Sequence, residues 1–338
     1  MTSKSKSKSK SKSKMFWNIG VAALLLALAA CLTQVAGTAR SVRDLVGEGG
    51  RGETAGALRA VLVSQEADNP FWRAVERGAR KAAAQGGWLL EYAGPRRIDP
   101  EEQLRLLDKA IASGADAILV QGIGDERFRR LIDDAVRRGI VVVTVDTDEP
   151  ESARAAYVGS NNEQAGETVG RLVAEASRGR GAIGVLIGDE RAPNQIERLE
   201  GFRRAISRYP GLDIAGVAAS SISRLRAAAE TERMLREHPE IGFMVGFSSL
   251  DGIGMMDAAE RAGLPLPHIY AFDDVAETMA GVAGCRIAAT MQQQPARMGE
   301  LAMELAQRGA AGQTLPEYNY TAVEVVTAAP NGAGGGCP

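Results

Sequence analysis

From residue 58 onward the chain alternates between two apolar patterns. Short runs rich in β-branched and other apolar residues, "LRAVLVS", "WLLEY", "DAILVQG" and "GIVVVTVD", are separated by longer segments with helical spacing, as at Leu104, Leu107 and Ile111. The order resumes with "GAIGVLIG", "LDIAGVAA", "IGFMVGF" and "HIYAFDD". Runs this continuously apolar fit parallel strands covered by helices on both faces. The predicted fold class is α/β, with two doubly wound parallel-sheet lobes. Between the halves, "AAYVGSNN" at 155–162 has strand character, and Asn162 is placed to cap a helix beginning near Glu163.

In open α/β sheets ligands bind at the carboxyl ends of the strands. That rule gives meaning to "DNPFW", which follows the first strand. Asn69 suits an N-cap and Pro70 the first helical position, so Phe71 and Trp72 stand at the mouth of the sheet. Neighbouring helical residues diverge by about 100°, so both rings cannot point into one core. The spacing of Phe71 and Val75 allows one ring a core role, and the other is left to pack against the C–H face of a ligand. "VVVTVDTD" ends the fourth strand in Asp146, whose carboxylate suits adjacent ligand hydroxyls.

The first 37 residues break the pattern. "MTSKSKSKSKSKSK" carries six lysines and no acid, and the uncharged stretch from Met15 to Gly37 follows it. Such a segment is membrane-directed, with its lysines kept cytoplasmic. Leu28-Ala29-Ala30-Cys31 resembles a bacterial lipobox, which makes Cys31 the candidate lipidation site, with an uncleaved helix as the alternative anchor. Residues 38–57 read as a flexible tether, and 330–338, "NGAGGGCP" in part, as a disordered tail. Cys285 and Cys337 are expected as unpaired thiols, a bridge between them being the other possibility.

Composition narrows the function. A net charge of −2 leaves no nucleic-acid footprint, and 45% hydrophobic residues suffice for two cores. His238 and His268, the only histidines, each adjoin a proline and suit turns. "GRGAIG" precedes its strand instead of following it, so it cannot cradle a pyrophosphate. "GFSSLDG" lacks nucleophile-elbow spacing. No enzyme, cofactor or metal is expected.

Taken in order, "DNPFW", "TVDTD", "ERLEGF", "AFDD" and "IAATMQQQP" over 58–328 resemble the ribose-binding branch of the type I periplasmic sugar-binding proteins. The resemblance implies a three-strand hinge with crossings near Gly159, Gln293 and Tyr320. It implies an N-terminal lobe of 58–159 plus 294–320 and a C-terminal lobe of 160–293 plus 321–329. It makes Asn69, Phe71, Trp72 and Asp146 the N-lobe contacts, and Arg198, Asp273 and Gln293 those reached from the C lobe, with Arg198 and Asp273 supporting each other. Thr147 stands where the family commonly has Arg, and Ser248 and Ser249 where it has Asn-Asp, so the ligand set here is altered at Thr147 and Ser248. The implied activity is capture of a small solute, most simply a sugar, by a monomeric body that closes about its hinge. The implied partner is an ABC transporter permease; a sensor that signals to a membrane receptor or histidine kinase is the alternative.

Overall fold

The computed structural model describes residues 56–328. The leader with Cys31, nearly all of the tether, Cys337 and the tail at 330–338 lie outside the described residues.

The unit that begins at Leu58 opens as a strand–helix alternation. It runs β1 (Arg59–Val63), α1 (Pro70–Gln85), β2 (Leu89–Ala93), α2 (Pro100–Ala112), β3 (Ala117–Val120), α3 (Glu126–Arg137), β4 (Val141–Val145) and β5 (Ala156–Ser160). A second series follows: α4 (Asn162–Ser177), β6 (Arg180–Ile187), α5 (Pro193–Ile206), β7 (Gly211–Ala219), α6 (Arg224–Glu237), β8 (Ile241–Gly246), α7 (Asp251–Ala262), β9 (His268–Phe272), α8 (Ala276–Ala283) and β10 (Ala289–Gln292). The last described elements are α9 (Pro295–Ala310), β11 (Tyr318–Thr321) and β12 (Glu324–Thr327).

The strands form two six-stranded sheets, ordered β11-β5-β4-β3-β1-β2 and β12-β10-β9-β8-β6-β7. The first is parallel throughout, and the second is parallel except for β12, which pairs antiparallel with β10. Ala60 and Leu62 face one apolar cluster while Val61 and Val63 face another on the opposite side. That two-sided burial is why the strands read as unbroken apolar runs. The second sheet is likewise packed on both faces.

The chain passes from the first sheet to the second after β5, and returns when α9 follows β10. A Cβ at Gly78 of α1 would lie 1.8 Å from the Ala296 carbonyl oxygen, and one at Gly299 of α9 1.9 Å from that of Val75, so only glycine permits this approach. β11 then joins the first sheet and β12 the second. These two four-residue strands were not foreseen: the equally short β3 reads as the unbroken apolar run "AILV", whereas "YNYT" and "EVVT" are interrupted by polar residues.

Two expectations are corrected. Asn161, and not Asn162, caps α4, its side chain accepting from the Gln164 amide. Cys285, expected as a free thiol, is disulfide-bonded. It sits in the exposed turn between α8 and β10, and sequence spacing says nothing about approach in space.

Candidate functional site

Both sheets present their carboxyl ends to one cavity of about 170 Å³. Gln65, Gln121 and Asp146 line it just beyond β1, β3 and β4, and Asp189, Ser248 and Asp273 do so just beyond β6, β8 and β9. Strands buried on both faces have little room for polar groups, so these appear where the strands end.

The first lobe brings Asn69, Phe71, Trp72, Asp146 and Thr147 to the cavity. Asn69 caps α1 by accepting from the Phe71 amide at 2.9 Å, and Pro70 follows as the first helical residue. The Phe71 and Trp72 rings meet edge to face, with centroids 5.6 Å apart. Trp72 is 3% exposed and belongs to the apolar core with Val75 and Ala79, whereas Phe71 is half-buried. Spacing had singled out Phe71 for the core. The buried stripe instead begins at Trp72, and both rings line the cavity.

Asp146 is 7% exposed and has φ 67°, an uncommon left-handed conformation for a residue other than glycine. Its backbone N–H donates to the Val158 carbonyl at 2.9 Å. One carboxylate oxygen accepts from Gln121 Nε2 at 3.0 Å, Asn194 Nδ2 at 3.2 Å and Thr147 Oγ1 at 3.3 Å. Burial pushes the Asp146 carboxyl up to about 6; Arg198 pulls it back and Asp273 adds to the rise. Gln121, absent from the sequence-derived set, also lines the cavity and leaves its buried Oε1 without a protein partner.

The second lobe supplies Arg198, Ser248, Asp273 and Gln293. Arg198 is 2% exposed. Its guanidinium donates from Nε to Asn162 Oδ1 at 2.9 Å, from Nη1 to the Phe247 carbonyl at 2.7 Å and from Nη2 to Gln293 Oε1 at 3.1 Å. It also lies 4.4 Å from the centroid of the Phe272 ring, within cation–π range. Close helix packing fixes this placement: a Cβ at Gly166 would lie 1.9 Å from the Arg198 carbonyl oxygen, and one at Gly201 2.0 Å from that of Glu163. Asn162, freed from capping, orients the guanidinium.

The expected partnership of Arg198 with Asp273 is indirect. Gln293 accepts from Arg198 and donates from Nε2 to Asp273 Oδ1 at 2.8 Å, so its amide links the two charges. Ser160 at the end of β5 also donates to Gln293 Oε1, at 2.7 Å. Burial raises the Asp273 carboxyl above its ordinary range, opposed by Arg198 and by the Gln293 bond. Ser248 is held by its backbone N–H, which donates to the buried Asp251 Oδ2 at 2.9 Å.

All nine predicted contact residues thus line one space. Sequence reading missed Gln121, Asn194 and Gln195. The last two follow Pro193 at the start of α5, just as Phe71 and Trp72 follow Pro70 at the start of α1. A strand followed within a few residues by a proline at the first helical position was the signal available.

Residues 60–314 match the model of the periplasmic binding protein domain. The chain is 25% identical over 291 residues to a D-ribose/D-allose-binding protein of Pseudomonas aeruginosa, covering 82% of this chain and 91% of that one. Among solved structures, a glucose-galactose binding protein from Geobacillus stearothermophilus superposes with a TM-score of 0.78 at 37% identity, covering 80% of this chain and 98% of the other. A solute-binding protein from Burkholderia graminis, in complex with D-arabinose, gives 0.77 at 27% identity over 82% of this chain and 97% of its own. With its two α/β lobes and its cleft at the strand ends, the chain belongs to the type I periplasmic sugar-binding protein family.

Proposed function

We propose that the protein is an extracytoplasmic solute-binding protein that captures a small neutral sugar between its lobes and presents it to an ABC transporter permease. The observation that carries this reading is the convergence of two rings from one lobe with Arg198, Asp273 and Gln293 from the other on a single cavity. Rings cover the C–H face of a sugar, while carboxylates and amides take its hydroxyls. Contacts to both lobes favour closure by their differential affinity, and a permease reads the closed shape. The cavity is below the roughly 300–1,000 Å³ of sites for drug-sized ligands, which suits a monosaccharide.

Charge balance supports a neutral ligand. Asp125, Asp146, Asp189 and Asp273 line the cavity against Arg191 and Arg198, and the Arg198 guanidinium is already committed to three acceptors. An acidic sugar finds no uncommitted buried cation there. Relatives of this chain are binding proteins, in keeping with a role without catalysis. Tethering through lipid on Cys31 rests on the sequence alone and is tested by mass spectrometry of the mature N-terminus.

The test of the binding role is a thermal-shift screen against pentoses, hexoses, polyols and uronic acids. A ligand that binds only the native state raises the melting temperature. A neutral monosaccharide should do so and its uronic acid should not; a screen in which no sugar raises it would overturn the reading.

A further inference from the structure

The turn between β7 and α6 places two successive residues other than glycine in the left-handed region, Ser221 at φ 53° and Ile222 at φ 50°. For a β-branched side chain this is a true outlier, since its branches crowd the backbone. Glycine would meet the same turn without that conflict. Strain of this kind persists where the surrounding structure enforces it, often beside a ligand.

The enforcement is visible. The Ile222 N–H donates to Ser220 Oγ at 3.2 Å, the Ser223 N–H donates to the Ser220 carbonyl at 3.1 Å, and Arg226 Nη1 donates to Ser221 Oγ at 2.5 Å. Core packing does not account for the side chain, because Ile222 belongs to none of the four apolar clusters. It lines the ligand cavity instead. Room is made for it at Gly188, where a Cβ would lie 2.9 Å from Ile222 Cγ1 and 3.2 Å from Ser248 Cβ. Apart from Ala192, every other residue lining the cavity between Asp189 and Gln293 is polar or charged.

We infer that Ile222 is a specificity-determining residue: it forms an apolar stop in the second lobe's wall and limits how large and how polar the ligand can be at that edge. A ligand hydroxyl directed at Ile222 would give up water without gaining a partner. An added methylene meeting a fixed wall typically changes preference by about 10- to 200-fold. This inference rests on the sugar-capture reading above.

The test compares the full-length wild type with Ile222→Ala and Ile222→Gly by calorimetry. The ligands are D-xylose with D-glucose and L-arabinose with D-galactose, pairs that differ by one hydroxymethyl group. In both variants the affinity ratio should move at least tenfold toward the larger member of whichever pair binds. Ile222→Gly, which also relieves the left-handed strain, should melt no lower than Ile222→Ala. If Ile222 served only to shape the turn, both members of a pair would weaken equally and the ratio would stay within threefold of wild type. That result, in variants that still bind, would overturn this inference and leave sugar capture standing. Failure of every one of these sugars to bind the wild type would overturn this inference, whereas sugar capture itself falls only if the wider thermal-shift screen also finds no sugar that binds.

Discussion

The two walls of the cleft share a backbone plan and differ in chemistry. Asp146 follows the last residue of β4 and Asp273 that of β9, at φ 67° and 65°. Each donates its N–H at 2.9 Å to a carbonyl of the next strand, Val158 in one sheet and Met291 in the other. In each lobe a helix with proline at its first position follows the opening strand of the series. After Pro70 come two rings, whereas after Pro193 come Asn194, Gln195 and then Arg198. The difference teaches that the frame fixes where a side chain enters the cleft but not what it does there. At these two helix starts one wall supplies apolar area and the other directed hydrogen bonds.

The largest effect expected is from Arg198→Ala, which strips three acceptors of their buried donor. It should cost on the order of 3–5 kcal/mol of stability, read by chemical denaturation, and abolish ligand binding. Its counterpart on the apolar wall, Trp72→Ala, should cost about as much, because a core ring is lost. Binding loss in that variant alone is therefore ambiguous. Phe71→Ala isolates the ligand face: half-buried, it should lower stability by less than Trp72→Ala while weakening sugar binding by roughly tenfold, an amount within reach of one ring contact.

Next in size is Asp146→Asn. Loss of a charge-assisted bond worth about 1.5–3 kcal/mol should weaken binding roughly 10- to 150-fold by calorimetry. The pH dependence has a definite sign. The folded Asp146 pKa, near 6, lies above the ordinary carboxylate value, so its contribution to ligand-free stability is fully present below about pH 4 and is lost as pH rises through about 6. Relative to Asp146→Asn, the ligand-free wild type should lose stability across that window. Sugar affinity should move the other way and strengthen as the carboxylate ionises, a dependence missing from the variant.

The smallest effect expected is from Asn194→Ala, which removes one of three donors to the same Asp146 carboxylate oxygen, the one that reaches across the cleft, and leaves Gln121 and Thr147 in place. It should weaken binding by about 1 kcal/mol and shift the ligand-free molecule toward a more open form in small-angle scattering.

Much of this was legible in the sequence because apolar periodicity and strand-end acids are local signals. The nine strands from "LRAVLVS" to "HIYAFDD", the Asn69 cap, the placement of Phe71 and Trp72 at a helix start and that of Asp146 at a strand end needed only neighbours along the chain. Arg198, Asp273 and Gln293 came through family resemblance, since nothing local separates Arg198 from a surface arginine. What stayed hidden depends on three dimensions. Asn161 and Asn162 are adjacent and chemically identical, and only the backbone at the start of α4 decides that Asn161 caps and Asn162 is left to accept from Arg198. The left-handed turns at Asp146, Asp273 and Ile222 have no composition of their own. Gln121 is a single polar residue after a short strand, and its value lies in reaching Asp146 across 25 positions of sequence.

The central claim is that both walls grip one ligand. Calorimetric titration of the wild type, Phe71→Ala and Arg198→Lys with the sugar giving the largest thermal shift tests it most directly. The account predicts one molecule bound per chain at near-micromolar affinity, about −8 kcal/mol, with clear weakening from either wall. Wild-type affinity retained when either wall is altered would contradict it.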